Sequence, residues 1–358
     1  MPSISRRKML GTLGALPLAG TAAGTVSAAR DRDKGPEADG AALVTDRDRK
    51  EYARLKALDL DDPKAKAKQK EMPAGKIGDL TLGRIVCGSN LISMNMHARD
   101  LDYVTALASH YNTEARVLMT LKKCEELGIN GIVLKDHNFR RFPGLKRYWD
   151  EWGGRMQWIA DVITTDINKF DERLQRHLDL GAAAAYVWGG ASDIWYHQKK
   201  PGRILKAFQM IRDAGVPAGV AAHRLEPIRF CVEEGLKPDF YMLTLHHDRY
   251  WSAHPKENRR FMEMYEKESP DHARYHDNMF CHNHEETVAF MQDVDVPWMA
   301  YKVLAAGAIP PKDGISYAFE SGADFICLGF FDFQLDEDVR IARKAVAGAR
   351  NRKRPWSA

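Results

Sequence analysis

From Lys76 onward the chain alternates short apolar runs with longer amphipathic stretches, the pattern of a strand followed by a helix. The apolar runs cover residues 84–89, 131–136, 156–163, 182–188, 217–223, 239–246, 298–304 and 323–329. Helix-compatible sequence follows each run, the longest stretch being 101–127, and Gly128, Gly181, Gly215, Gly235 and Gly322 stand where a helix must stop before the next strand. Eight such units across residues 76–350 predict an α/β fold, a (β/α)8 barrel of the TIM type. An open doubly wound sheet is the alternative, but no GxGxxG follows the first strand. The connection after the sixth strand, residues 248–283, is unusually long. It reads as a lid or binding loop with a short helix near 256–267.

The segment ahead of the barrel has a different character. Ser5-Arg6-Arg7-Lys8-Met9-Leu10 precedes a weakly apolar run rich in Gly, Ala and Thr that ends in Val26-Ser27-Ala28-Ala29. Residues 1–28 therefore read as a twin-arginine export signal, too weakly apolar for a membrane span. That expectation brings the twin-arginine export machinery as a partner and a periplasmic or otherwise extracytoplasmic destination. Residues 29–75 read as a charged linker with one helical stretch, and residues 351–358 as a basic tail.

Composition narrows the classes further. The 358 residues are 44% hydrophobic and 28% charged, enough for a large core. Lys and Arg number 53 against 49 Asp and Glu, intermixed along the chain, which is no footprint for nucleic acid. Five cysteines without a CxxC pair predict buried thiols and no disulfide staple.

Active sites of this architecture sit on the loops after the strands' C-terminal ends, so strand-end residues become the candidates. His137, His223, His246 and His247 end the second, fifth and sixth strands. Imidazoles beside carboxylates are the donor set of a divalent ion of the Zn or Mn kind, and hydrogen-bonded structural histidines are the other reading. Period-two alternation separates His246 and His247 onto opposite faces, with polar Thr244 placing His246 inward. Asp136 and Asp161 are expected as metal ligands or general bases with pKa values raised by burial. Asp193 and Glu226 fall in the same set of strand-end loops. Lys302, inside the seventh strand, suits charge neutralisation, anion binding or imine chemistry. Trp188, Trp195 and Trp251 fall in the loops as a wall for a sugar ring or as loop packing. A phosphate cradle after the last strand is disfavoured by Asp332, Asp336, Glu337 and Asp338.

The run 75–89, Gly-Lys-Ile-Gly-Asp-Leu-Thr-Leu-Gly-Arg-Ile-Val-Cys-Gly-Ser, resembles the opening hairpin and first strand of the aldo/keto reductases. Leu127-Gly-Ile-Asn130 and Pro297-Trp-Met-Ala-Tyr-Lys-Val-Leu-Ala305 are similar to the same superfamily. The resemblance implies a barrel oxidoreductase with NAD(P). It also implies a catalytic Asp after Gly-Ile-Asn, where this chain has Val133 and, three residues on, Asp136. The lysine the family carries on strand three is missing from 156–163, and Trp188 stands where the family ends strand four in histidine. The leader, with Lys302-Val-Leu-Ala-Ala-Gly-Ala-Ile309 and Gly322-Ala-Asp-Phe325, is similar to exported bacterial barrel proteins.

The combined expectation is an exported metal-dependent barrel enzyme that hydrolyses, eliminates from or isomerises a small sugar-like or polyol substrate. The alternatives are an aldo/keto-reductase-like oxidoreductase and a non-catalytic carbohydrate-binding barrel.

Overall fold

A computed structural model describes residues 43, 45–93, 96, 101–135, 144–253, 255–256, 259 and 281–358. Two helices come first, α1 (Asp46–Lys56) and α2 (Pro63–Gln69), then an antiparallel hairpin of β1 (Ala74–Ile77) and β2 (Leu80–Gly83). The barrel follows as β3 (Ile85–Gly88), α3 (Asp102–Tyr111), α4 (Glu114–Glu126), β4 (Gly131–Leu134), α5 (Gly144–Trp152), β5 (Gln157–Val162), α6 (Phe170–Asp179) and β6 (Ala184–Val187). It continues with α7 (Gly189–His197), α8 (Gly202–Asp213), β7 (Ala218–Ala222), α9 (Leu225–Glu233), β8 (Phe240–Thr244), α10 (His284–Met291), β9 (Trp298–Tyr301), α11 (Pro311–Glu320), β10 (Phe325–Leu328) and α12 (Leu335–Gly348).

Strands β3 to β10 run parallel in sequence order and close on themselves where β10 pairs with β3, Ile326 opposite Ile85. All eight expected strands are present, each as the centre of its apolar run. Both faces of each strand are covered, which is why the runs are continuous in apolarity. Val86, Val133, Ile159, Tyr186, Ala221, Met242, Met299 and Phe325 fill the interior. Their sequence neighbours Cys87, Ile132, Trp158, Val187, Val220, Leu243, Trp298 and Ile326 pack outward into the helix layer. Ile77 and Leu82 of the hairpin join the interior cluster and plug the N-terminal end of the barrel. The five helix-stopping glycines all have positive φ, from 74° to 108°. Gly128 cannot be replaced cheaply, since a Cβ there would lie 2.4 Å from the carbonyl oxygen of Gln69. The five cysteines are buried free thiols.

Three expectations need correction. The stretch 101–127 is two helices, because Asn112 leaves the helical conformation and donates its side-chain amide to Leu91 O, while the Thr113 hydroxyl caps α4. Residues expected as solvated linker include α1 and α2, capped by Thr45 and Asp62, with Tyr52 and Leu55 buried against the barrel helices. Arg54 and Lys68 both bind the carboxylate of Glu126, fixing these helices to α4. High charge density had hidden an apolar face only two residues wide. Likewise the basic tail is structural. Arg352 and Arg354 hold the fully buried carboxylate of Asp324 at 3.0 and 2.6 Å, and Asp324 also accepts the backbone N–H groups of Trp298 and Ser357. Arg354 further donates to the carbonyls of Gly322, Val294 and Val296, tying the tail beneath β9 and β10.

Removing Arg354 breaks a buried ion pair and leaves the carbonyls of Gly322, Val294 and Val296 without their donor, at a cost of about 3–5 kcal/mol even with Arg352 still on Asp324. Arg354→Ala is expected to lower the urea unfolding free energy by that amount, whereas Arg340→Ala on the exposed face of α12 changes it by less than about 0.5 kcal/mol.

Candidate active site

At the C-terminal end of the barrel, alternation sends one residue of each strand toward the axis. Continuing the interior faces leads to Lys135 after β4, Asp161 on β5, Tyr186 on β6, His223 after β7, Thr244 on β8, Tyr301 on β9 and Cys327 on β10. Asp161 and Tyr186 are register partners across β5 and β6, so their side chains stand next to each other on the inner wall. The Asp161 residue is partly open at the mouth, yet its Oδ1 is shut off from solvent and has no hydrogen-bond partner among the described residues. Burial pushes this carboxyl up to about 7, against the opposing pull of the Tyr186 phenol and of the Lys135 and Lys302 ammonium groups. Desolvation outweighs two nearby cations, which leaves a carboxylic acid poised at neutral pH. The same burial, with the Asp161 charge beside it, holds the Tyr186 phenol well above its ordinary value.

Two strands further round, His223 donates from Nδ1 to Asp193 Oδ2 at 2.7 Å. Asp193 lies buried on α7 and also accepts the backbone N–H groups of His223 and Arg224, at 3.2 and 3.3 Å. The Thr244 hydroxyl donates to His223 O and the Tyr301 phenol to Ala222 O, pinning the end of β7 from two sides. The imidazole tilts against the Tyr301 ring with centroids 5.5 Å apart. Burial lowers the His223 pKa; Asp193 pulls it upward, and Lys302 and His282 add to the lowering. Gly189 makes this packing possible, because a Cβ there would sit 3.0 Å from the Tyr301 phenol oxygen and 3.4 Å from His223 Cε1. Lys302 closes the ring of polar groups with φ at 58°, a left-handed conformation that a lysine adopts only when its surroundings impose it.

The expected site residues divide accordingly. Asp161, Lys302 and His223 meet at the mouth, while Asp136 and His137 lie outside the described residues. His246 and His247 do not join them. Both lie beyond Thr244, the last residue of β8, where His246 Nε2 accepts from the Cys281 backbone N–H and its Nδ1 faces His247 O. Burial depresses the His246 pKa to about 4. His247 accepts the Arg249 N–H at Nδ1 and packs its ring on Tyr317 of α11. Among the described residues no group of three or more His, Cys, Asp or Glu side chains is placed to hold a metal ion. The tryptophans form no common wall. Trp195 is buried with its indole N–H on Thr165 O, Trp188 packs on the outer core, and Trp251 is 88% exposed.

Lys135, Tyr186 and Tyr301 were missed by sequence reasoning, although period-two counting from Val133, Ala184 and Met299 would have found them. At the β10 end, Asp332 is bound by Tyr111 and Arg116 and Asp336 by Lys123, while burial pushes the carboxyl of Asp338 up to about 6. Acidic side chains therefore crowd the start of α12, the end of a helix that favours anions.

No family model matches the chain, and no curated protein matches it. Among solved structures it is similar to a "putative aldo-keto reductase" of Pseudomonas aeruginosa, with 14% identity over 76% of this chain and 94% of that one, at a TM-score of 0.49. It is also similar to the Amycolatopsis orientalis BexX/CysO complex, with 13% identity over 76% and 92% and a TM-score of 0.42. A third is a "putative dihydrodipicolinate synthetase" of Pseudomonas aeruginosa, with 15% identity over 74% and 79% and a TM-score of 0.33. Likeness at this distance carries no chemistry, and the barrel rests on the strand order itself.

Asp161 gives the site a measurable pH signature. Its folded pKa lies above the ordinary 3.8, so the folded chain holds the proton to about pH 7 while the unfolded chain has lost it by about pH 4. The stability it contributes is full below pH 4 and lost as pH rises through 7. Asp161→Asn is therefore expected to gain on wild type by roughly 4 kcal/mol between pH 4 and pH 8 in urea unfolding. A pH-independent difference between the two proteins would contradict the assignment.

Proposed function

We propose that the barrel mouth is the active site of an enzyme that transfers protons at a carbonyl- or hydroxyl-bearing carbon of a small polar substrate in the sugar or polyol range. The observation that carries this reading is Asp161, an enclosed carboxyl with its pKa near neutrality at a strand's C-terminal end. Acid–base catalysis is most effective when the catalytic pKa lies near the working pH. An ordinary carboxylate is too weak a base for that role, and burial supplies the difference. In the first half-reaction Asp161 takes a proton from carbon or hydroxyl. The Tyr186 phenol and the two lysine ammonium groups are the donors available to an oxygen that gains negative charge. The proton returns from the protonated Asp161 in the second half.

A second reading is favoured by the hairpin sealing the barrel floor and by phenol, ammonium, carboxyl and imidazole gathered at one mouth: an aldo/keto-reductase-like oxidoreductase using NAD(P). Its hydride would come from the nicotinamide, and the phosphates would need a seat other than the β10–α12 turn. We further infer export by the twin-arginine machinery, for which Arg6→Lys/Arg7→Lys is expected to move the protein from the periplasmic to the cytoplasmic fraction.

The test is proton NMR in D2O of the purified chain with a panel of three- to six-carbon aldoses, ketoses and polyols, alongside NADPH titration. Acid–base action predicts deuterium entering the carbon next to a carbonyl, slowed about 10²-fold or more in Asp161→Asn. NADPH binding with oxidation and no exchange would replace it by the redox reading, and neither activity would overturn both.

A further inference from the structure

Beside Asp161, the mouth holds a second titratable unit of different construction. His223 follows β7 on the same face as Gly219 and Ala221, so its ring enters the mouth, while Asp193 approaches from α7 behind it. The Asp193 carboxylate takes three donors at once: His223 Nδ1 at 2.7 Å on Oδ2, the His223 backbone N–H on the same oxygen, and the Arg224 N–H on Oδ1. A carboxylate only accepts, so the ring nitrogen it faces carries the hydrogen. The Nε2 lone pair is then left on the far side of the ring. The groups facing His223 are Asp193 of α7, Tyr301 and Lys302 at the end of β9, and His282 ahead of α10. Among the described residues Asp193 is the acid that faces it, and burial, with Lys302 and His282 adding to it, favours the neutral imidazole, the form able to accept a proton.

Free imidazole side chains favour the opposite tautomer, so this arrangement is imposed. Oδ2 imposes it on the ring, while Oδ1 accepts the Arg224 backbone N–H and anchors the carboxylate. An aspartate serving only to cap the chain after β7 would need the two backbone N–H groups and no imidazole.

We propose that His223 is a second proton-transfer group of the mouth, acting through Nε2, and that Asp193 is the positioning residue that holds it in the Nδ1–H tautomer. This rests on the acid–base reading of the site. With two such groups two strands apart, one proton can be taken by His223 Nε2 while another is delivered by the Asp161 carboxyl, and the pair exchanges roles in the return step. The class of reaction this fits is a proton shift between adjacent carbons of a hydroxy-carbonyl compound. Substrate C–H loses its proton to one group, the carbonyl oxygen gains one from the other, and reversal at the neighbouring carbon restores both with no net change of oxidation state.

The experiment is long-range proton–nitrogen correlation NMR of histidine-labelled full chain without substrate, with His223 assigned by His223→Gln. Wild type is expected to show His223 as the Nδ1–H tautomer. Asp193→Ala is expected to shift it to mainly Nε2–H at unchanged circular dichroism. Asp193→Asn, which keeps the shape, serves if the alanine variant does not fold, and is expected to show mixed tautomers. A wild-type Nε2–H tautomer, or a tautomer unmoved in the folded variants, overturns the positioning role. In the D2O assay His223→Gln is expected to slow exchange about 10²-fold or more. Full exchange in that variant overturns the proton-transfer role. If the tautomer is as expected and no substrate exchanges in wild type, the acid–base reading fails and takes the catalytic half of the proposal with it, while Asp193 remains the positioning residue.

Discussion

Closing eight parallel strands into a ring forces the last inward side chain of every strand into one small volume at the C-terminal end. Most of the chain serves that closure. Apolar layers fill the ring below, the β1–β2 hairpin plugs its floor, and the tail ties Asp324 underneath through Arg352 and Arg354. Only the uppermost layer is polar. Lys135, Asp161, Tyr186, His223 and Tyr301 come from the ends of five different strands, so no two are near in sequence, yet the register sets Asp161 directly beside Tyr186.

Electrostatics at the mouth follow from that crowding. Water is excluded from one oxygen of Asp161, and the lost hydration outweighs the attraction of two lysines and a phenol. His223 shows a related balance, since burial lowers its pKa and Asp193 restrains the fall. A neutral imidazole and a half-ionised carboxyl can therefore coexist within one barrel, each able to take or give a proton at the pH where the other does the reverse. The left-handed backbone of Lys302 is a local cost accepted at the same place.

The scaffold was largely legible in the sequence because it is written locally. Continuous apolar runs marked all eight strands, and glycines marked the helix ends at Gly128, Gly181, Gly215, Gly235 and Gly322. The candidate site was legible only where alternation could be counted inside a strand. It holds for Asp161 in β5, and it fails for His246, which lies beyond the last paired residue Thr244 with its ring taken by the Cys281 backbone N–H. His223 was found as a strand-end residue but assigned to metal, since nothing in the sequence shows Asp193 reaching its Nδ1 from α7, thirty residues earlier. The helices α1 and α2 and the tail were misread for a different reason: Tyr52, Leu55 and Asp324 organise segments whose composition is dominated by charge.

The central claim is that the mouth holds a carboxyl ready to exchange a proton at neutral pH, and the direct measurement is carbon NMR of aspartate-labelled protein through pH 3 to 9, with Asp161 assigned by Asp161→Asn. A midpoint near 7 is the predicted result. A midpoint at the ordinary aspartate value of about 3.9 would mean that the lysines have won over burial. The site would then hold a fixed carboxylate, and the acid–base account would fall.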